Sequence, residues 1–119
     1  MQPRPMPETD YTFLPDLVNE VSIPEKGILS RTVQDDASSK IVLFAFAPGE
    51  ELSEHTSSMP AVLYFLRGEA ELTLGAERVE VRSNSLAHMP PNLRHAIRAK
   101  TALIMLLVLI KTRPKVTAA

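Results

Sequence analysis

Between Glu69 and Arg82 apolar side chains recur at every second residue, and that period of two restricts the fold more than any other feature of the chain. Glu69-Ala70-Glu71-Leu72-Thr73-Leu74 alternates, Gly75-Ala76 breaks the run, and Arg78-Val79-Glu80-Val81-Arg82 alternates again. Two half-buried strands joined by a tight turn are what this pattern predicts. Lys40 to Ala47 and Ala61 to Leu66 are mostly apolar and rich in β-branched and aromatic residues, as buried strands are. Ala102 to Ile110 follows a strand-like segment and offers no helix cap, so it too is read as a strand, a long one of the core. Breakers fall at Pro48-Gly49, Gly68, Gly75, Asn84 and Pro90-Pro91, and no helical pattern runs beyond two turns. The expected fold is all-β, a sandwich or closed barrel that hides its sheet edges.

With 119 residues the chain fits one domain and one core. Residues 22–111 are expected to form the barrel. Residues 1–21 are expected to be an extended arm, since Pro3, Pro5 and Pro7 bar regular structure at its start. Within that arm, Tyr11 to Val18 reads as an anchored extended piece or a short turn, and 112–119 as a frayed tail. Lys and Arg number 13 against 14 Asp and Glu, a balance without the basic excess of a nucleic-acid binder. No Cys is present, which removes disulfides, thiolate metal sites and a cysteine nucleophile. The longest apolar run, of nine residues from Ala102, is far short of the ~20 a membrane helix needs. No apolar stretch follows Arg4, so no secretory signal is read, and a cytoplasmic location is expected.

All three histidines, His55, His88 and His95, fall in two short segments, 49–68 and 84–95. Alternation puts His95 on one face with Ile97 and Ala99, and Arg94 and Arg98 on the solvent side. His55 would share a face with Ser57, opposite Glu54. The face of His88 is left open, because Leu86 shares it and Ala87 and Met89 occupy the other. Imidazole is the commonest protein metal ligand, and a barrel interior can gather ligands from distant strands. The plainer reading is a pair of neutral histidines hydrogen-bonded to each other, to Ser57 or to buried water.

The two segments resemble the paired motifs of the cupin superfamily. Gly49, His55 and Gly68 fit the first motif, and Pro90 and His95 fit the second. The resemblance implies a single-domain antiparallel jelly-roll β-barrel. It also implies a divalent transition metal (zinc, nickel, iron, copper or manganese) and dioxygenase, isomerase or decarboxylase chemistry. This sequence departs from the motifs at several positions. Ser57 stands where the family has a second His, Ala61 where it has Glu, Asn84 and Asn92 where it has Gly, and Ala99 where it has Asn. Asn tolerates the left-handed backbone better than most residues, so those two exchanges are mild. The loss of Glu and one His leaves His55 and His95, with His88 as candidate third metal ligand, and Ser57, Ala61, Tyr64 and Asn92 as candidate pocket lining.

Two functions follow: a barrel that binds a small ligand in its lumen, with a metal on the histidines, or a non-catalytic sensing or scaffold protein whose metal site has decayed. A third reading is an interaction module whose lumen side chains fill. Because Ala102 to Ile110 is apolar on both faces, its outer face needs a cover. In cupins a partner subunit commonly supplies that cover and the N-terminal arm often crosses over, so a homodimer is expected.

Overall fold

The computed structural model describes residues 10–111; the proline-rich start of the expected arm and the expected tail lie outside them. Among the described residues there are nine strands and one short 3-10 turn, Leu17–Glu20. The strands are β1 (Ile28–Asp35), β2 (Ser39–Phe46), β3 (Glu51–His55), β4 (Ala61–Arg67), β5 (Ala70–Leu74), β6 (Glu77–Val81), β7 (Leu86–Met89), β8 (His95–Ala99) and β9 (Leu103–Ile110). They form two antiparallel sheets, in the orders β1-β2-β9-β4-β7 and β3-β8-β5-β6. Facing each other, the sheets make a jelly-roll barrel, as the alternating sequence requires.

Side-chain alternation fills the space between the sheets. Phe46, Leu63, Phe65, Leu72, Ile97, Leu103 and Met105 are buried there, each removing apolar surface from water for about 1.5–3 kcal/mol. Two strands escape the sequence pattern. β1 buries few side chains and β3 is almost wholly exposed, so neither carries a clear apolar alternation.

The outer face of the five-stranded sheet is apolar along β2 and β9. Leu43, Ala45 and Ile104 point there and are buried, yet stand outside the central cluster. Residues 12–23 run along this face: Leu14 and Leu17 border one groove with Ile41 and Leu106, and Val18, Val21 and Ile23 border another with Ile104 and Arg67. Arg31, paired across β1 and β2 with Leu43, fastens this segment through Glu20, at 3.0 Å from its carboxylate and 2.9 Å from its carbonyl. Part of the cover assigned to a partner subunit is therefore supplied by the chain itself.

Chain direction gives the barrel two distinct ends. One gathers His55, residues 57–61, the β5–β6 turn and residues 90–95. The other gathers Gly49, Gly68 and residues 99–103.

Candidate functional site

His95 opens β8 in the middle of the four-stranded sheet, between His55 of β3 and Leu74 of β5. Its inward direction follows from plain alternation with the buried Ile97 and Ala99. His55 arrives by a less direct route. Leu52 opposes Ile97 and packs against the core, so in an unbroken ladder Glu54 would take the next inward position. A bulge between Leu52 and His55 adds one residue to β3 and brings His55 opposite His95 instead. Glu54 is left at the rim, 3.5 Å from Arg94.

The two imidazoles touch edge to face, with ring centroids 4.2 Å apart and planes at 61°. Each is held by a backbone carbonyl two residues earlier: His55 Nδ1 lies 2.8 Å from Ser53 O, and His95 Nδ1 lies 2.9 Å from Leu93 O. A carbonyl only accepts, so each Nδ1 carries the proton, and in the neutral ring the lone pair is on Nε2. His95 is 6% exposed, whereas His55 stands at the open end. The two adjoining rings thus each keep an Nε2 acceptor. Neither Ser57 nor the other ring supplies the Nδ1 partners. Bulge and turn geometry provides them, and no composition signal reveals that.

The other candidates divide. Ala61 is buried on the inner face beside Met89 and Leu109. Ser57 lies beyond the end of β3; its Oγ accepts from the Met59 amide at 3.1 Å, and its carbonyl accepts from the Asn92 amide at 2.7 Å. That bond ties together the two loops carrying the histidines. Asn92 is exposed, with φ of 68°, and Asn84 has φ of 74°, the left-handed backbone expected where the motifs have glycine.

Two candidates do not join the site. His88 sits opposite Val62 in the β7–β4 pair, while its neighbours Ala87 and Met89 oppose Leu63 and Ala61 of the core. Its side chain is therefore on the outer, exposed face and cannot complete a three-histidine set. Tyr64, paired with Leu86, is on that same outer face, and its hydroxyl donates to Asn84 Oδ1, so it does not line the pocket.

The donor set does not fit a resident metal of the kind the motifs imply. Zinc sites normally use three or four protein ligands, and here a buried methyl and a hydroxyl already engaged with a backbone amide replace two of them. Among the described residues no three His, Cys, Asp or Glu side chains converge to hold an ion.

The comparisons with known proteins agree with this architecture. A conserved protein of unknown function from Streptococcus pyogenes is 31% identical, with a TM-score of 0.79 over 91% of this chain and 95% of its own. A cupin superfamily protein from Desulfitobacterium hafniense is 26% identical, with a TM-score of 0.77 over 94% of each chain. The TT1209 protein of Thermus thermophilus is 25% identical, with a TM-score of 0.74 over 85% of this chain and 98% of its own. A comparison with curated proteins finds no match. The family model described as "Cupin domain" matches residues 42–110, more than half of the sequence and both histidine segments, and the chain therefore belongs to the cupin family.

Proposed function

We propose that this cupin binds a small ligand at the open end of its barrel, with the Nε2 atoms of His55 and His95 as its polar contacts. The observation that carries the reading is the pair of Nδ1–H bonds to Ser53 and Leu93, which hold both rings in one tautomer and leave both Nε2 atoms for a ligand. A divalent metal bound there would have only two protein ligands, which hold it weakly. The sensing or scaffold reading uses the same site without chemistry.

Imidazole nitrogen spectroscopy tests the proposal. In two-bond proton–nitrogen correlation spectra, His55 and His95 are expected in the Nδ1–H form. Small polar fragments should shift their signals and leave those of His88, on the outer face, unchanged. Unaltered His55 and His95 signals across a chemically broad fragment set would overturn the reading.

Dimerisation and a cytoplasmic location belong to the same proposal. In support of a dimer, Leu86 remains 67% exposed on the outer face, and Tyr11 and Phe13 are exposed at the start of the described residues. A monomer mass by light scattering would remove the dimer. No helix among the described residues is long and apolar enough to cross a membrane.

A further inference from the structure

The inner face at the open end shows which ligand chemistry the histidine pair suits. Reading across the four-stranded sheet in register, the row runs His55, His95, Leu74 and Glu77. In the tautomer that the two Nδ1–H bonds hold, its polar members accept hydrogen bonds: two Nε2 lone pairs and, at the exposed edge strand, a carboxylate. With strands about 4.8 Å apart, Glu77 stands roughly 10 Å from His95, too far to share a metal with it. Partly exposed apolar side chains border this end, Leu74 and Leu93 beside His95 and Leu109 on the facing sheet, above the buried Ala61 and Met89. No cation belongs to the inner row; Arg94 is on the opposite face, beside Glu54.

Resting on the ligand-binding reading above, we infer that the site takes, without a metal, a non-anionic small molecule that donates O–H or N–H hydrogen bonds from an apolar body. A carboxylate or phosphate meets only acceptors in this row, and each such group would be desolvated without a partner. An apolar body without donors covers the apolar wall but leaves both Nε2 atoms dry and unpaired. A donor-bearing body satisfies both requirements.

Three probes of one size separate these cases: resorcinol, with two O–H donors; 1,3-dimethoxybenzene, with the same ring and none; and isophthalate, an anion. Each is titrated into the full chain with EDTA present, and the His55 and His95 side-chain signals are followed. Resorcinol is expected to shift both and to bind at least tenfold more tightly than either other probe, and His95→Ala is expected to abolish its shifts. Equal or tighter binding of dimethoxybenzene or isophthalate would overturn the ligand class while leaving the ligand-binding reading in place. No response to any probe would overturn the class and, together with silence across a broad fragment set, the function itself. A further arm adds Ni²⁺ alone. Tight one-to-one binding lost in His55→Ala would overturn the metal-free assignment; weak binding that leaves resorcinol affinity unchanged supports it.

Discussion

Where β4 ends, Gly68 presses its backbone against the carbonyl of Ala102. At the other end of the barrel two imidazoles meet edge to face. The first end is fixed by main chain: the Gly49 amide donates to Ala99 O and the Ala99 amide to Glu50 O, Lys100 and Thr101 both donate to Glu69 O, and the Gly68 amide donates to Ser83 Oγ. Two hydroxyls join in, Ser83 Oγ and Thr101 Oγ1, while at Gly68 much depends on there being no side chain. The second end is tied by main chain as well, Asn92 to Ser57, Gly75 to Arg94, Ile110 to Pro60 and Lys111 to Ser38, and it holds the two histidines. The two ends thus differ in what occupies them: a close backbone approach at one, the two imidazoles at the other.

Glycine substitutions should show the largest contrast. At Gly68, with φ of +92°, an added Cβ would collide with the Ala102 carbonyl oxygen. Backbone is the obstacle, so nothing can rotate away. Gly68→Ala is expected to cost about 3–5 kcal/mol or prevent folding, combining left-handed strain with the collision. Gly75, at the open end, has φ of +61° and meets only Leu93 Cδ1 at 3.6 Å. Gly75→Ala should cost only the backbone strain, about 1–2 kcal/mol. Urea unfolding of the two variants measures the difference, and equal losses would break the contrast between the ends.

Smaller effects should separate the two histidines. His95→Ala removes the buried ring and leaves the Leu93 carbonyl without its donor, at an expected cost of about 1–3 kcal/mol. His55 is exposed, and His55→Ala should cost no more than about 0.5 kcal/mol. Both should abolish the fragment-induced shifts of the remaining ring. Comparable destabilisation by the two would show that His55 is structural as well.

The same asymmetry explains which parts of the molecule the sequence makes legible. Strands β4, β5, β6, β8 and β9 each bury residues against the core, so their apolar pattern is written in the chain. β1 and β3 are missed because most of their side chains face solvent, which leaves no alternation to detect. His95 is legible through the exposed arginines on either side of the strand's inward set. His55 is reached in the sequence through motif spacing, whereas its inward direction depends on a bulge, an event of strand pairing that a single strand does not encode. His88 illustrates the same limit from the other side: only its register opposite Val62 assigns it to the outer face. Likewise, the cover over Ile104 is legible as a need, but its source in residues 12–23 is a tertiary fact.

The smallest expected effects concern pH, and here too the ends should part. In the β1–β2 turn, at the open end, the amides of Ser38 and Ser39 donate to Asp36 Oδ1 at 2.8 and 2.9 Å, and they hold its carboxyl below the ordinary aspartate range. A depressed folded value means that the turn gains stability from the charged form above the unfolded value of about 3.9, and loses it as pH falls through the folded one. At the closed end, the hydrogen bond with Glu80 raises Lys100 above its ordinary range. As far as the lysine's own proton goes, its contribution is complete below the unfolded value of about 10.4 and is lost as pH rises through the folded one. Both groups are on the surface, so the effects are local and screened by salt. Acid titration should therefore shift and expose the Ser38 and Ser39 amides before those of Lys100 and Thr101. Asp36→Asn should remove that early step while leaving the closed end unchanged. If the amides at both ends respond together, or if Asp36→Asn titrates as the unsubstituted chain does, the carboxylate is not what holds the turn.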